Sequence, residues 1–440
     1  MVTKEIFNKF DIEIFSNKYL NAKISDNYYK EDLKENGKRT RSDSKISCQN
    51  MIMFILLWVL NPEEGYLSVL NKVKPLLMKF TSDKMKIIKS ITDAGLCKGR
   101  RRFSSQIIKR IWQEHIIKIR ISEKTERLWK GLKVCVVDGT TFTLNKTKEI
   151  IKTYPLMQGA KLPKMLGCIL YDIYNKIPMD IVFGKFPGDE RELLLKLIEG
   201  IVGKNYLLVL DGGYPAYWLF WKLKDLGIKF VIRLPSYFKY ERIKRLGKND
   251  WIIEMKIQRN RRSWLKYITE EEYKNIPMRI TMRLIKTKMR GYRERYLVTS
   301  LEDEKEYKYE EIAQIYCDRW IIENYYRDLK HIFKVERFHA KYVDGIYQEI
   351  YSAMILTIVL QEYMLEASTI YGVPFEEISF KRAFIILKDF ICLIELFPGI
   401  SIMMELMLNL IAINRQKKRP FRHYKRIFYR KIKCSDSKWK

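Results

Sequence analysis

The sequence predicts an α/β protein: a mixed sheet flanked by helices, with helical regions at both ends. Three observations carry that expectation. Residues 131–234 alternate strand-like apolar runs with amphipathic helices, residues 235–300 hold only short strand-like runs, and the segments before and after both read as helical. Three hairpin-linked strands followed by a β-α-β unit give a sheet with both antiparallel and parallel neighbours.

In chain order, residues 1–125 read as a helical region. A polar segment (26–48) precedes the apolar "MIMFILLWVL" (51–60), and Pro62 marks a stop and restart. "SITDAGLCKGRRRFSSQIIKRIWQEHI" (90–116) reads as a turn, a basic patch and an amphipathic helix. As a DNA-binding domain, this region would turn Arg100, Arg101, Arg102, Lys109 and Arg110 toward phosphates. The competing expectation is a packing domain with a solvated basic face.

Residues 126–234 form the first part of the core. "GLKVCVVDGTTFTL" (131–144) is an apolar strand ending at Asp138, and 164–186 reads as two strands joined by a turn near Asn175. "GDERELLLKLIEGIVG" (188–203) is a capped helix, with capping and solvation accounting for Arg191 and Glu192. Residues 205–234 read as strand, Asp211, helix, strand. Residues 235–300 form a β-rich insertion whose strand-like runs are "WIIEMKI", "MRITMRLIK" and "RERYLVTSL". Residues 301–360 complete the core, and 361–440 form a helical region with a basic tail.

The chain carries 83 Lys and Arg against 52 Asp and Glu, a formal charge of +31, in 440 residues that are 47% hydrophobic. That is a folded polycation, and its field attracts polyanions, of which nucleic acid is the commonest. A lysine-rich composition would explain the Lys but not the clustered Arg. Residues 415–440 hold 12 Lys and Arg interleaved with Phe421, Tyr424, Phe428 and Tyr429, a pattern suited to gripping a nucleic-acid backbone.

Seven cysteines stand singly, without a CxxC pair, which points to a reduced intracellular protein rather than a zinc or disulfide framework. "MVTKEIFNKF" lacks the apolar core of a secretory signal. Residues 51–60 are too few to cross a bilayer, and 391–414 are interrupted by Glu395, Pro398, Gly399 and Glu405. Both stretches are expected to be buried core helices, and no membrane partner is expected.

Asp138 and Asp211 each end an apolar strand and each precede a glycine. Strand ends of an open α/β sheet are where ligands bind, although turn aspartates are also common there. A third carboxylate comes from "YCDRWIIENYYRDLK" (316–330). On one continuous helix Tyr316, Arg319, Glu323 and Lys330 fall within about 60° of one another. Alone, Arg319 and Glu323 would be a surface pair contributing about 0.3–0.5 kcal/mol. With Asp138 and Asp211, Glu323 supplies hard oxygen ligands for Mg²⁺ or Mn²⁺. Two such ions would support in-line phosphoryl transfer, while Arg319 and Lys330 grip phosphates and Tyr316 stacks or hydrogen-bonds to the backbone. Four histidines and scattered cysteines make zinc hydrolysis a poor competitor.

These residues resemble the bacterial insertion-sequence transposases of the DDE class, in which a β-rich insertion interrupts a ribonuclease-H-like core. The family signature of Tyr, two residues, Arg, three residues, Glu, six residues, Lys is matched by Tyr316, Arg319, Glu323 and Lys330. "VVDGTTF" supplies Asp138 and "LVLDGGY" supplies Asp211. The resemblance covers about residues 90–360. It implies a cut-and-paste enzyme that binds terminal inverted repeats, hydrolyses the element ends and joins the 3′ ends to target DNA. It also implies double-stranded DNA as partner, a homodimer in the synaptic complex and a cytoplasmic, nucleoid-associated protein of a prokaryote. Arg233, Lys164 and Lys239 are further expected phosphate contacts, and Trp251 or Trp264 would hold a flipped base, although packing explains both. Two alternatives stay open: a two-metal nuclease or resolvase without strand transfer, and a non-catalytic DNA-binding relative.

Overall fold

A computed structural model of the chain describes residues 22–35, 48–79, 91–121, 126–257, 262–288, 294–396 and 401–416. The basic tail beyond 416 lies outside the described residues. Strands are β1 (Lys133–Thr143), β2 (Lys164–Asp172), β3 (Ile177–Lys185), β4 (Tyr206–Leu210), β5 (Lys229–Leu234), β6 (Glu241–Gly247), β7 (Asp250–Lys256), β8 (Arg279–Thr287) and β9 (Arg295–Thr299). They form one sheet in the order β3-β2-β1-β4-β5-β9-β8-β7-β6. β1, β2 and β3 are antiparallel neighbours, while β4 and β5 run parallel to β1. Strand order 3-2-1-4-5 with those directions is a ribonuclease-H-like core.

The strands after residue 235 extend that same sheet. β9 pairs antiparallel with β5, and β8, β7 and β6 follow in an antiparallel series. β6, "ERIKRLG", is absent from the expected strand runs because its side chains are mostly charged and exposed. It is the edge strand, where charge deters pairing with another chain. Arg283 of β8 welds this extension to the core. It forks onto both Asp250 oxygens (2.9 and 2.6 Å) and donates to the carbonyls of Leu301 and Tyr307 (3.1 and 2.7 Å).

Alternating side chains divide the sheet between two cores. Val134 and Val136 of β1 join one with Leu207 and Val209 of β4, and Cys135 and Val137 join the other with Leu208 and Leu210. The first core also holds the helix Val343–Tyr371, against which Cys48–Leu60 packs. Val343–Tyr371 is long and apolar enough to cross a membrane, but 83% of its apolar window is buried inside the protein. Cys48–Leu60 is buried along its whole length, as a core helix should be. The apolar stretch after 391 belongs to the helices Phe380–Leu396 and Ser401–Ile413.

Within the N-terminal basic patch, Arg100 departs from its expected phosphate contact. Arg100 is 1% exposed. It donates to Glu349 (2.6 Å), Gln348 (3.0 Å), the Gly345 carbonyl and the Tyr66 hydroxyl, bolting the helix Asp93–Arg102 to Val343–Tyr371. A phosphate contact by Arg100 is therefore corrected to a structural role, since burying an arginine beside a carboxylate requires that its donors be used internally. Lys109 pairs with Asp180, and Arg110 with Glu31 and Glu114. Arg101 and Arg102 remain exposed, Arg101 lying against Glu149 and the Tyr342 ring.

Candidate active site

The parallel ladder between β1 and β4 ends at Val136 opposite Val209. Two residues beyond that pair stand Asp138, still within β1, and Asp211, just past the end of β4, close enough for Asp211 to act on the Asp138 carboxyl. Asp138 follows the alternation of Val136, toward the core that also contains Ile322, Tyr325, Tyr326 and Leu329, and Asp211 acts on Tyr316 of that same core. The two aspartates therefore face the helix that bears Glu323. Asp138 does not terminate its strand, as the apolar pattern suggested. β1 continues against β2 to Thr143, and it is β4 that leaves at Leu210. The cleft opens at this divergence, where Asp211 accepts from the Gly213 amide at 2.7 Å.

Tyr316 and Glu323 do not share one straight helix. The chain forms Tyr309–Asp318 and then Ile321–His331. Between them the amides of Trp320, Ile322 and Glu323 donate three residues back, to Cys317, Arg319 and Trp320, so the turn tightens locally. The continuous stripe thus becomes two levels of burial. Tyr316 is 2% exposed and Glu323's side chain 44%. Tyr316 therefore supports Arg319, whose guanidinium lies 5.9 Å from its ring centroid, and its stacking on DNA is corrected by that burial.

Two straps hold the second helix on the sheet. The Tyr326 hydroxyl donates to the Asp138 carbonyl at 2.5 Å, and Lys330 Nζ donates to the Thr141 carbonyl at 2.6 Å. Tyr326 lies outside the four-residue signature, and nothing in the sequence marked it.

Burial pushes the Asp138 carboxyl up to about 7; the Arg319 guanidinium opposes that rise, while Glu190 and Asp211 add to it. Glu190 is itself raised by burial, opposed by a hydrogen bond from Tyr214 and reinforced by Asp211. It is a fourth carboxylate that the sequence showed only as part of a helix start. Its signal is positional: an acid in the first turn of the helix that follows β3. Arg319 Nη2 stands 3.7 Å from Glu323 Oε1, and its Nε has no hydrogen-bond partner among the described residues.

Crowded, buried carboxylates are a donor set suited to Mg²⁺ or Mn²⁺. Among the described residues, however, no three His, Cys, Asp or Glu side chains stand close enough to hold an ion. Asp138 and Asp211 are brought together, whereas Glu323 leans to Arg319. Arg233 is exposed and packs beside Gly212, next to Asp211; Arg233, Arg319 and Arg295 all act on Tyr316. Trp264 is 6% exposed and stacks on Tyr217, and Trp251 lies under the Arg242 guanidinium at 4.3 Å. Packing accounts for both tryptophans.

Residues 129–359 match the family model described as "Transposase DDE domain". The chain is 23% identical over 428 residues to "Transposase InsG for insertion sequence element IS4" of Escherichia coli (strain K12), covering 93% of this chain and 89% of that relative. A solved structure described as "Cryo-EM structure of piggyBac transposase synaptic complex with hairpin DNA (SNHP)" aligns with a TM-score of 0.41 and 10% identity, over 92% of this chain and 85% of that one. The family match takes in more than half of the 440 residues and contains Asp138, Asp211 and Glu323. The chain belongs to the transposase DDE-domain family.

Proposed function

We propose that this protein is a metal-dependent DNA transposase. It binds the terminal inverted repeats of its element, hydrolyses phosphodiester bonds at the ends and joins the 3′ ends to target DNA. The observation that supports this reading is the electrostatic contact of Asp138 with both Asp211 and Arg319, beneath the strapped-down Glu323 helix. Asp138, Asp211 and Glu323 would hold two Mg²⁺ ions, with Mn²⁺ able to substitute. Bound there, such ions would supply the Lewis acidity to activate an attacking water or 3′-hydroxyl and to stabilise the leaving oxygen.

The chain's own residues position the DNA. Arg319 presents an unused Nε–H beside the cleft, and a phosphate offers it a better partner than Glu323 at 3.7 Å. Exchanging Glu323 for a phosphate frees that exposed carboxylate to turn toward the two aspartates. Arg233 grips the backbone beside Asp211. Lys330 lends its charge to the strand end while its Nζ fastens the helix to Thr141. Arg101 and Arg102 contribute exposed charge to non-specific DNA attraction. Pairing of two ends makes the working form a homodimer, acting on the nucleoid in the cytoplasm of a prokaryote.

The test is purified protein with labelled DNA ending in the inverted repeats that flank the coding region, in Mg²⁺. Cleaved ends followed by joined products are expected, with Glu323→Gln lowering cleavage at least about a thousandfold. Hydrolysis that never proceeds to joining identifies a nuclease instead. Binding without cleavage in either Mg²⁺ or Mn²⁺ identifies a non-catalytic relative.

A further inference from the structure

The helix Ile321–His331 and the chain after it are tied to β1 and its continuation at successive points. The Tyr326 hydroxyl donates to the Asp138 carbonyl at 2.5 Å, and Lys330 Nζ to the Thr141 carbonyl at 2.6 Å. Further along, the Thr143 amide donates to Glu336 at 2.9 Å. The Asn145 side chain donates to the carbonyls of Phe338 (2.8 Å) and Ala340 (2.9 Å). β4 pairs with β1 only as far as Val136 opposite Val209, so the ties begin where the β4 ladder stops.

The tie at Tyr326 differs from the others in what it joins. It ends on the backbone of Asp138, and it starts three residues after Glu323 on the same helix. Residues three apart share a helix face, so this bond fixes the level of Glu323 along β1. Tyr326 is 8% exposed and sits in the core with Ile322, Tyr325 and Leu329. A buried hydroxyl needs a hydrogen-bond partner, and here it takes the Asp138 carbonyl. Packing of the ring docks the helix, while the hydroxyl sets its register.

We propose that Tyr326 is a positioning residue for DNA cleavage. Its hydroxyl holds the Glu323 helix in register with Asp138, so that only the Glu323 side chain has to swing from Arg319 toward the aspartates. The proposal rests on the reading above in which Asp138 and Glu323 are catalytic.

Tyr326→Phe removes the hydroxyl and keeps the ring. With saturating inverted-repeat DNA in Mg²⁺, its cleavage rate should fall about ten- to a hundredfold, while DNA affinity by fluorescence anisotropy stays at the wild-type value. Asn145→Ala cuts the far tie and should lower the melting temperature while cleavage stays near wild type. Glu323→Asp already displaces the carboxylate. In that background Tyr326→Phe should cost at most about threefold more, because residues acting as a unit are not additive. Losses that multiply in the double variant, an equal loss from Asn145→Ala, or a Tyr326→Phe protein that does not fold would each make Tyr326 a docking residue and overturn the proposal. Wild-type cleavage by Tyr326→Phe beside an inactive Glu323→Gln overturns it alone. If Glu323→Gln also cleaves as wild type, the catalytic reading falls with it.

Discussion

Arg100 and Arg319 are both buried, at 1% and 8% exposure, yet they serve opposite ends. Arg100 spends its donors on Glu349, Gln348, Gly345 and Tyr66. Arg319 has one loose ion pair at 3.7 Å and an Nε without a hydrogen-bond partner among the described residues. A saturated guanidinium holds the fold together, whereas one with spare donors beside a cleft has capacity left for a ligand. Basic clusters in the sequence do not separate the two cases.

Breaking the comparison on the Arg100 side should give the largest effect. Arg100→Met leaves Glu349 buried without its partner and should cost about 3–5 kcal/mol of stability, seen as a lower denaturation midpoint. A midpoint within experimental error of wild type would deny Arg100 its role as a bolt. Arg319→Met should leave the midpoint nearly unchanged and reduce cleavage of inverted-repeat DNA by about a hundredfold, the loss expected when a charge-stabilising donor is removed. Equal losses of stability in the two variants would erase the distinction.

A pH dependence sharpens the Arg319 side. The Asp138 carboxyl is raised from 3.8 to about 7 in the folded protein. The folded state therefore binds this proton more tightly than the unfolded state does. The stabilisation is fully present below about pH 4 and is lost as pH rises toward about 7. Metal-free protein should lose stability over that window, and Asp138→Asn should flatten the part of the slope due to this residue. Denaturation midpoints measured between pH 4 and 8 decide it; an unchanged slope in the variant would contradict the burial of a strained carboxylate.

Part of the site was legible because its signals are local. Asp138 and Asp211 stand at the ends of apolar runs, and the Tyr316, Arg319, Glu323, Lys330 spacing is a pattern within 15 residues. The helical stripe was misread as continuous because periodicity assumes one unbroken helix, and the tight turn at Arg319 and Trp320 breaks it. β6 escaped notice because an edge strand needs no buried face, so its charged residues carry no apolar alternation. Tyr326 and Glu190 escaped because each acts across space: Tyr326 on a carbonyl 188 residues away, Glu190 over the empty side of Gly139.

By itself the sequence determined the α/β class, the strands of the core and the three acids on which the functional reading depends. These follow from residue periodicity and from spacing along a short stretch of chain. Tertiary structure alone decided which arginine is a bolt and which has donors to spare. It also decided that Asp138 and Asp211 come within reach of each other's charge and that the insertion extends the core sheet. The physical reason is the range of the interactions. Arg100 meets Glu349 across 249 residues, and the approach of Asp211 to Asp138 depends on how β1 and β4 pack, which no local pattern of side chains encodes.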